Sequence, residues 1–143
     1  MNWLLDTNVV SELYRKQPDR KVVAWIDAQS DAALHVSTLT LGELQRGVVL
    51  LPDSPRRRAM FAWVQNDLPA RFAGRILPVD DRVAFVWGNL VSAQQMKGRN
   101  LPVLDSLIAA TAMAHQQTLV TRNLGDFQGL GIELLNPWTD TGF

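Results

Sequence analysis

Apolar residues along this chain switch repeatedly between short compact runs and helical spacing. Trp3-Leu4-Leu5 is a compact run closed by the polar Asp6-Thr7-Asn8, and it predicts a short buried strand. A short helix is expected next, from about Val9 to Arg15. Beyond Pro18, Val22, Val23 and Ile26 recur at helical spacing and predict a second helix. Leu34-His35-Val36-Ser37 reads as the second strand. Thr40, with Glu43 three residues on and apolar Leu44, Val48 and Leu51 beyond, has the form of a capping box heading the next helix.

Ser54-Pro55 opens a further helix, with Pro in the first turn where a missing N–H costs nothing. Phe61, Val64 and Leu68 are its expected buried stripe. Arg75 to Val79 is the third strand, and Pro78 consigns it to a sheet edge or a strand end. Val83, Trp87, Leu90 and Val91 mark a long helix that starts near Asp80 and stops at Lys97-Gly98. Asp105-Ser106 begins a helix rich in small residues, suited to close packing, and Thr118 to Thr121 and Ile132 to Leu135 are the last two strands. Strands alternating with helices in this order predict an α/β domain with a mostly parallel sheet covered on both faces. No repeat or linker-like block divides the chain, so residues 1–143 read as one domain.

Composition narrows the chemistry. Hydrophobic residues at 47% and charged residues at 20% describe a globular chain. Fourteen Lys and Arg balance fourteen Asp and Glu, which excludes nucleic-acid binding by bulk positive charge but leaves room for local patches of either sign. Cysteine is absent, so thiolate metal sites, disulfides and Cys nucleophiles are excluded and a reducing cytoplasm suits the chain. Asp6 interrupts any apolar signal-peptide core at the start, and the apolar stretch Leu107 to Ala114 is far short of the ~18–20 residues of a membrane span. A soluble cytoplasmic domain is the expectation.

Topology then gathers the acids. In a parallel sheet the strand C-termini share one edge, and ligands bind there. Asp6 directly follows the first strand, Glu43 lies in the first turn of the helix after the second, and Asn123 and Asp126 lie just past the fourth. Asp105 opens a helix running antiparallel to the strands, so its start falls at the same edge. Each acid has an ordinary structural role open to it: Asp6 in an Asx turn, Glu43 in a capping box, Asp105 as a cap, Asp126 in a loop. Asp80 and Asp81 fit capping and are left there. Gathered at one edge, Asp6, Glu43, Asp105 and Asp126 repel one another unless a cation compensates. With no Cys and only two His, the donors are nearly all oxygen, a set that suits Mg²⁺ or Mn²⁺ and phosphoryl hydrolysis.

Other signals are weaker. GxxxxGK[ST], GxGxxG and GxSxG are all missing. His35 and His115 read as structural, and Arg56-Arg57-Arg58 as a solvated helix face. Trp25 and Trp63 are either core or a homodimer or partner surface. A haloacid-dehalogenase-type phosphatase would want a second Asp where Asn8 stands, and a phosphoaspartate receiver would want an acidic pair and a late Lys that the chain lacks.

Leu4-Leu5-Asp6-Thr7-Asn8, the stretch LTLGELQRGV, LDSLIAATAMAH and LVTRNLGDF, in this order, resemble the PIN-domain ribonucleases, and within them the VapC-type toxins of toxin–antitoxin pairs. FAGRILPVD and the ending NPW are similar to the FitB-like branch. The resemblance covers nearly the whole chain. It implies a five-stranded parallel sheet with helices on both sides, Mg²⁺- or Mn²⁺-dependent endoribonuclease activity, a VapB-like antitoxin, a homodimer, and operator DNA reached only through the antitoxin.

Carried over residue by residue, the resemblance puts the family's three main acids on Asp6, Glu43 and Asp105, its following hydroxyl on Thr7 and the next polar residue on Asn8. At the fourth position many members have an acid soon after the Thr-Arg pair. Here Asn123 stands there with Asp126 three residues later, and either completes the metal shell. Thr7 is expected to position a water or a phosphate oxygen, and Arg122 to contact phosphate. The rival from another class is a catalytically weak module of the same fold that acts through its antitoxin or RNA by binding alone.

Overall fold

A computed structural model describes residues 1–142. Five strands, β1 (Trp3–Leu5), β2 (Leu34–Ser37), β3 (Ile76–Leu77), β4 (Thr118–Val120) and β5 (Leu134–Leu135), form one sheet in the order β3-β2-β1-β4-β5. Every neighbouring pair is parallel, with Leu4 opposite His35 on one side and opposite Leu119 on the other. β3 is an edge strand, as Pro78 requires, because an edge forgives the donor that proline lacks.

The helices are α1 (Thr7–Tyr14), α2 (Arg20–Ala28), α3 (Thr38–Val49), α4 (Pro55–Ala62), α5 (Leu68–Arg71), α6 (Asp81–Met96), α7 (Val103–Ala114) and α8 (Leu124–Phe127). Alternation along the strands divides the core. Leu5 and Val120 face a cluster with Val9, Val10, Trp25, Leu44, Val64 and Phe72, while Leu4 and Leu119 face Leu90, Ile108, Ala109, Ala112 and Phe127. Both sheet faces are therefore covered, which is why the strands read as unbroken apolar runs. The small residues of α7 let it lie tightly between the sheet and α6, with Val83 packed against Ala110 and Ala114. α6 ends at Met96, and Gly98 just past its Lys97 cap has a φ of +81°, a helix-stopping conformation that only glycine adopts without strain. No helix among the described residues is long and apolar enough to cross a membrane.

Several local expectations need correction. Thr40 is not a cap: Ser37 caps α3, accepting the Leu39 N–H at 3.0 Å, and Thr40 is buried inside the helix. Glu43 accordingly sits in the second turn. α7 starts before Asp105, which lies in its first turn without capping it. Phe61 is 45% exposed, leaving Val64 and Leu68 as the buried pair. Between them the helix widens into a π turn at Trp63–Asp67, where Pro69 supplies no N–H and its ring crowds the preceding turn. Trp25 belongs to the core, edge-on to Trp3 at 5.1 Å, and Trp63 packs against it with Tyr14 at 4.6 Å.

Candidate active site

The strand order reverses at β1. The chain builds outward through β2 and β3 on one side, then crosses back to add β4 and β5 on the other. A crevice opens above such a switch point, at the C-terminal ends of the strands. Asp6 stands there as the residue after β1, Thr121 as the residue after β4 and Ser37 as the last of β2.

Asp6 caps α1. Its Oδ1 accepts the Thr7 N–H at 2.8 Å, and the helix macrodipole favours a negative charge at that position. Its Oδ2 accepts the Thr121 hydroxyl at 2.8 Å and the Asn8 amide at 3.4 Å. Asn8 also donates to Thr121 Oγ1 at 3.2 Å and accepts the Arg122 N–H at 3.3 Å, tying α1 to the loop after β4. Thr7 donates to Glu43 Oε1 at 2.7 Å. Its single proton is thereby used, so Thr40 is the donor in the 3.1 Å contact between the two hydroxyls. Thr7 thereby holds Glu43.

Burial pushes the Asp6 carboxyl above the ordinary carboxylate range; the bonds from Thr121 and Thr7 oppose that, and the charges of Glu43 and Asp105 add to it. Asp105 is raised as well, first by burial, then by the charges of Asp126 and Glu43. Charges from α3 and α7 thus reach Asp6 at α1's cap, and charges from α3 and α8 reach Asp105. Neither ion pair found among the described residues, Arg15–Glu12 and Arg58–Asp53, involves any of the four. As the side chains stand, no three acids or imidazoles among the described residues close into a ligand cage. The donors these side chains would offer a cation are carboxylate oxygens, which suit a hard divalent ion.

Asp126 lies in the first turn of α8 and not in a loop, and Asn123 precedes that helix. Arg99 fixes α8 from outside, donating to the Asp126 carbonyl at 3.1 Å and the Gln128 carbonyl at 2.6 Å. Asn123 gives its backbone N–H to Thr121 Oγ1 at 3.1 Å. Thr121, Thr40 and Arg99 are the contributors that sequence reasoning missed. His35 stays structural, its Nδ1 3.2 Å from the Ala33 carbonyl oxygen, and the arginine run faces outward apart from Arg57, which donates to Val48 O. Glu12 is a buried acid with a structural task, accepting the Asp19 N–H at 2.9 Å.

The PIN domain family model matches residues 3–130. The chain belongs to this family. Among PIN-domain relatives it is 38% identical over 137 residues to Toxin FitB of Neisseria gonorrhoeae, covering 96% of this chain and 99% of the relative. It is 37% identical over 135 residues to VapC ribonuclease Y4jK of Sinorhizobium fredii, covering 94% and 96%. In three dimensions it is similar to FitAB solved bound to an IR36 DNA fragment, with a TM-score of 0.88 and 37% identity over 95% of each chain.

Thr121 offers a clean test of how the site is held. Thr121→Val keeps the volume and removes the hydroxyl that donates to a buried carboxylate. Urea unfolding is expected to show a loss of about 1–3 kcal/mol. An unchanged midpoint would show that Asp6 does not depend on this bond.

Proposed function

We propose that this PIN domain is the toxin of a toxin–antitoxin pair, a divalent-metal-dependent endoribonuclease held in check by a VapB-like antitoxin. The observation that supports the reading most is Asp6 at the C-terminal end of the central strand, held by Thr121 and the Thr7 N–H, with Glu43 tied to Thr7 beside it and neither acid in an ion pair. Relatives named as a toxin and as a ribonuclease support the RNA substrate, and the similarity to FitAB solved bound to a DNA fragment supports a complex with an antitoxin that binds DNA.

Asp6, Glu43 and Asp105 would hold Mg²⁺ or Mn²⁺ directly or through waters, with Asp126 completing the set. When bound, the ion supplies positive charge to a phosphate oxygen and makes water a stronger nucleophile near neutral pH. The chain's own residues do the rest. Thr121 and the Thr7 N–H hold the Asp6 carboxylate in place, and Thr7, itself held by Thr40, aims Glu43. Asn8 locks the α1 start to the Arg122 backbone. Arg122 takes a phosphate of the RNA strand. Hydrolysis in this arrangement leaves a 3′-hydroxyl and a 5′-phosphate.

Substrate class separates this reading from a small-molecule phosphatase. Purified free of partners and given Mg²⁺, the protein is expected to cut RNA while leaving small phosphate monoesters intact. Rapid ester turnover with untouched RNA would overturn the assignment.

A further inference from the structure

Arg122 stands beside an acidic pocket and pairs with none of its carboxylates. Its backbone N–H reaches Asn8 at 3.3 Å, and Asn8 in turn donates to Asp6, so the residue is anchored at the pocket's lip. Its guanidinium is exposed and lies over the Trp138 ring, 5.0 Å from the centroid, and takes part in neither ion pair of the described residues.

The perch is built, not incidental. β5 runs parallel to β4, so the residues that follow it emerge at the same sheet edge as the acids. Asn136 then organises the turn. Its Oδ1 accepts the Trp138 N–H at 2.8 Å, its own N–H goes to Asp140 Oδ2 at 2.9 Å, and its carbonyl accepts the N–H groups of Thr139 and Asp140 at 3.2 and 2.8 Å. The Asn136 amide also donates to the Arg122 carbonyl at 3.4 Å. The turn that presents the indole is therefore clipped to the residue whose side chain the indole carries. Trp138 packs partly against the core, which keeps the ring from swinging away.

We propose that Trp138 is a positioning residue: it holds the Arg122 guanidinium off the carboxylates and presents it to the phosphodiester of the entering RNA strand. The inference rests on the reading that the acids hold a divalent ion and that RNA is the substrate. A guanidinium free to fold inward would neutralise the acids and compete with the ion; one held on an indole face stays charged, planar and available for a bidentate phosphate contact.

The test compares wild type with Trp138→Leu, Trp138→Phe, Arg122→Gln and the Trp138→Leu/Arg122→Gln double variant. Two quantities are read: Mn²⁺ affinity without RNA, from the free-ion paramagnetic resonance signal, and KM against kcat for a short RNA at saturating Mg²⁺. Trp138→Leu is expected to weaken Mn²⁺ binding about three- to fivefold and to raise KM, as Arg122 collapses onto the acids. Trp138→Phe keeps an aromatic face and most of the wild-type behaviour. Arg122→Gln raises KM similarly but leaves Mn²⁺ affinity at least at the wild-type level. In the double variant the Mn²⁺ defect disappears while KM stays high. A Mn²⁺ defect that persists there would mean Trp138 serves only the fold, and a Trp138→Leu protein with wild-type Mn²⁺ affinity would equally overturn its role. Wild-type protein that takes up no Mn²⁺ would overturn the metal reading beneath it, and the proposal with it.

Discussion

Asp6→Asn, Glu43→Gln and Asp105→Asn are each expected to abolish RNA cleavage while leaving the fold intact, a loss of about 10³-fold or more if each charge contributes several kcal/mol through the ion. Asp105→Asn separates function from stability best, because Asp6 and Glu43 also serve hydrogen bonds to Thr121, Thr7 and Asn8. Burial and the charges of Asp126 and Glu43 hold the Asp105 carboxyl above its ordinary range in the native state. The unfolded chain ionises at the ordinary value, so stability falls as pH rises from that value through the raised one and stays reduced at neutral pH. In chelator, then, the inactive Asp105→Asn protein should melt above wild type, by about 1–2 °C given how open the site is. Added Mg²⁺ should reverse the order, because the ion stabilises only a site that binds it. An Asp105→Asn protein that melts below wild type in chelator would mean that this acid is a structural support.

Asp126→Asn is expected to cut activity about 10- to 100-fold and to shift the Mg²⁺ dependence to higher concentration, with Asn123→Ala costing less. A carboxylate brings a full charge to the ion and an amide only a dipole. The geometry sharpens the contrast. Asp126 sits on a turn of helix that Arg99 pins by two carbonyls, and its charge is felt at Asp105. Asn123 contributes a backbone N–H to Thr121, which alanine retains. Mg²⁺ titrations of cleavage by the two variants decide the matter. Near-wild-type Asp126→Asn at limiting Mg²⁺, with a crippled Asn123→Ala, would give the fourth position to Asn123.

What was legible in the chain was whatever depends on order and local spacing. β2 runs over the residues its apolar run marks out, and Asp6 falls at the sheet edge because a parallel sheet puts every strand end there. That logic needs no side-chain detail, and it put Asp6 just after β1 and Asp105 in the first turn of α7. The head of α3 was misread because Thr40 and Glu43 have capping-box spacing while Ser37, three residues earlier, offers the same hydroxyl to the helix. Local pattern does not rank two adequate caps. Thr121 and Arg99 were illegible for a different reason. Thr121 finds Asp6 across 115 residues, and Arg99 finds Asp126 across 27, so their roles exist only once the sheet has closed. The short helix α8 shares that dependence, since four residues cannot sustain a helix without outside support.

The central claim is that the carboxylates at the switch point work through a divalent ion on RNA. Its most direct test maps the ends of a defined RNA after incubation with partner-free protein, in Mg²⁺ and in excess chelator. The account predicts new 3′-hydroxyl and 5′-phosphate ends in Mg²⁺ and no cleavage in chelator. Cleavage that persists in chelator, or that leaves 2′,3′-cyclic phosphates through attack by the RNA's own hydroxyl, would contradict it.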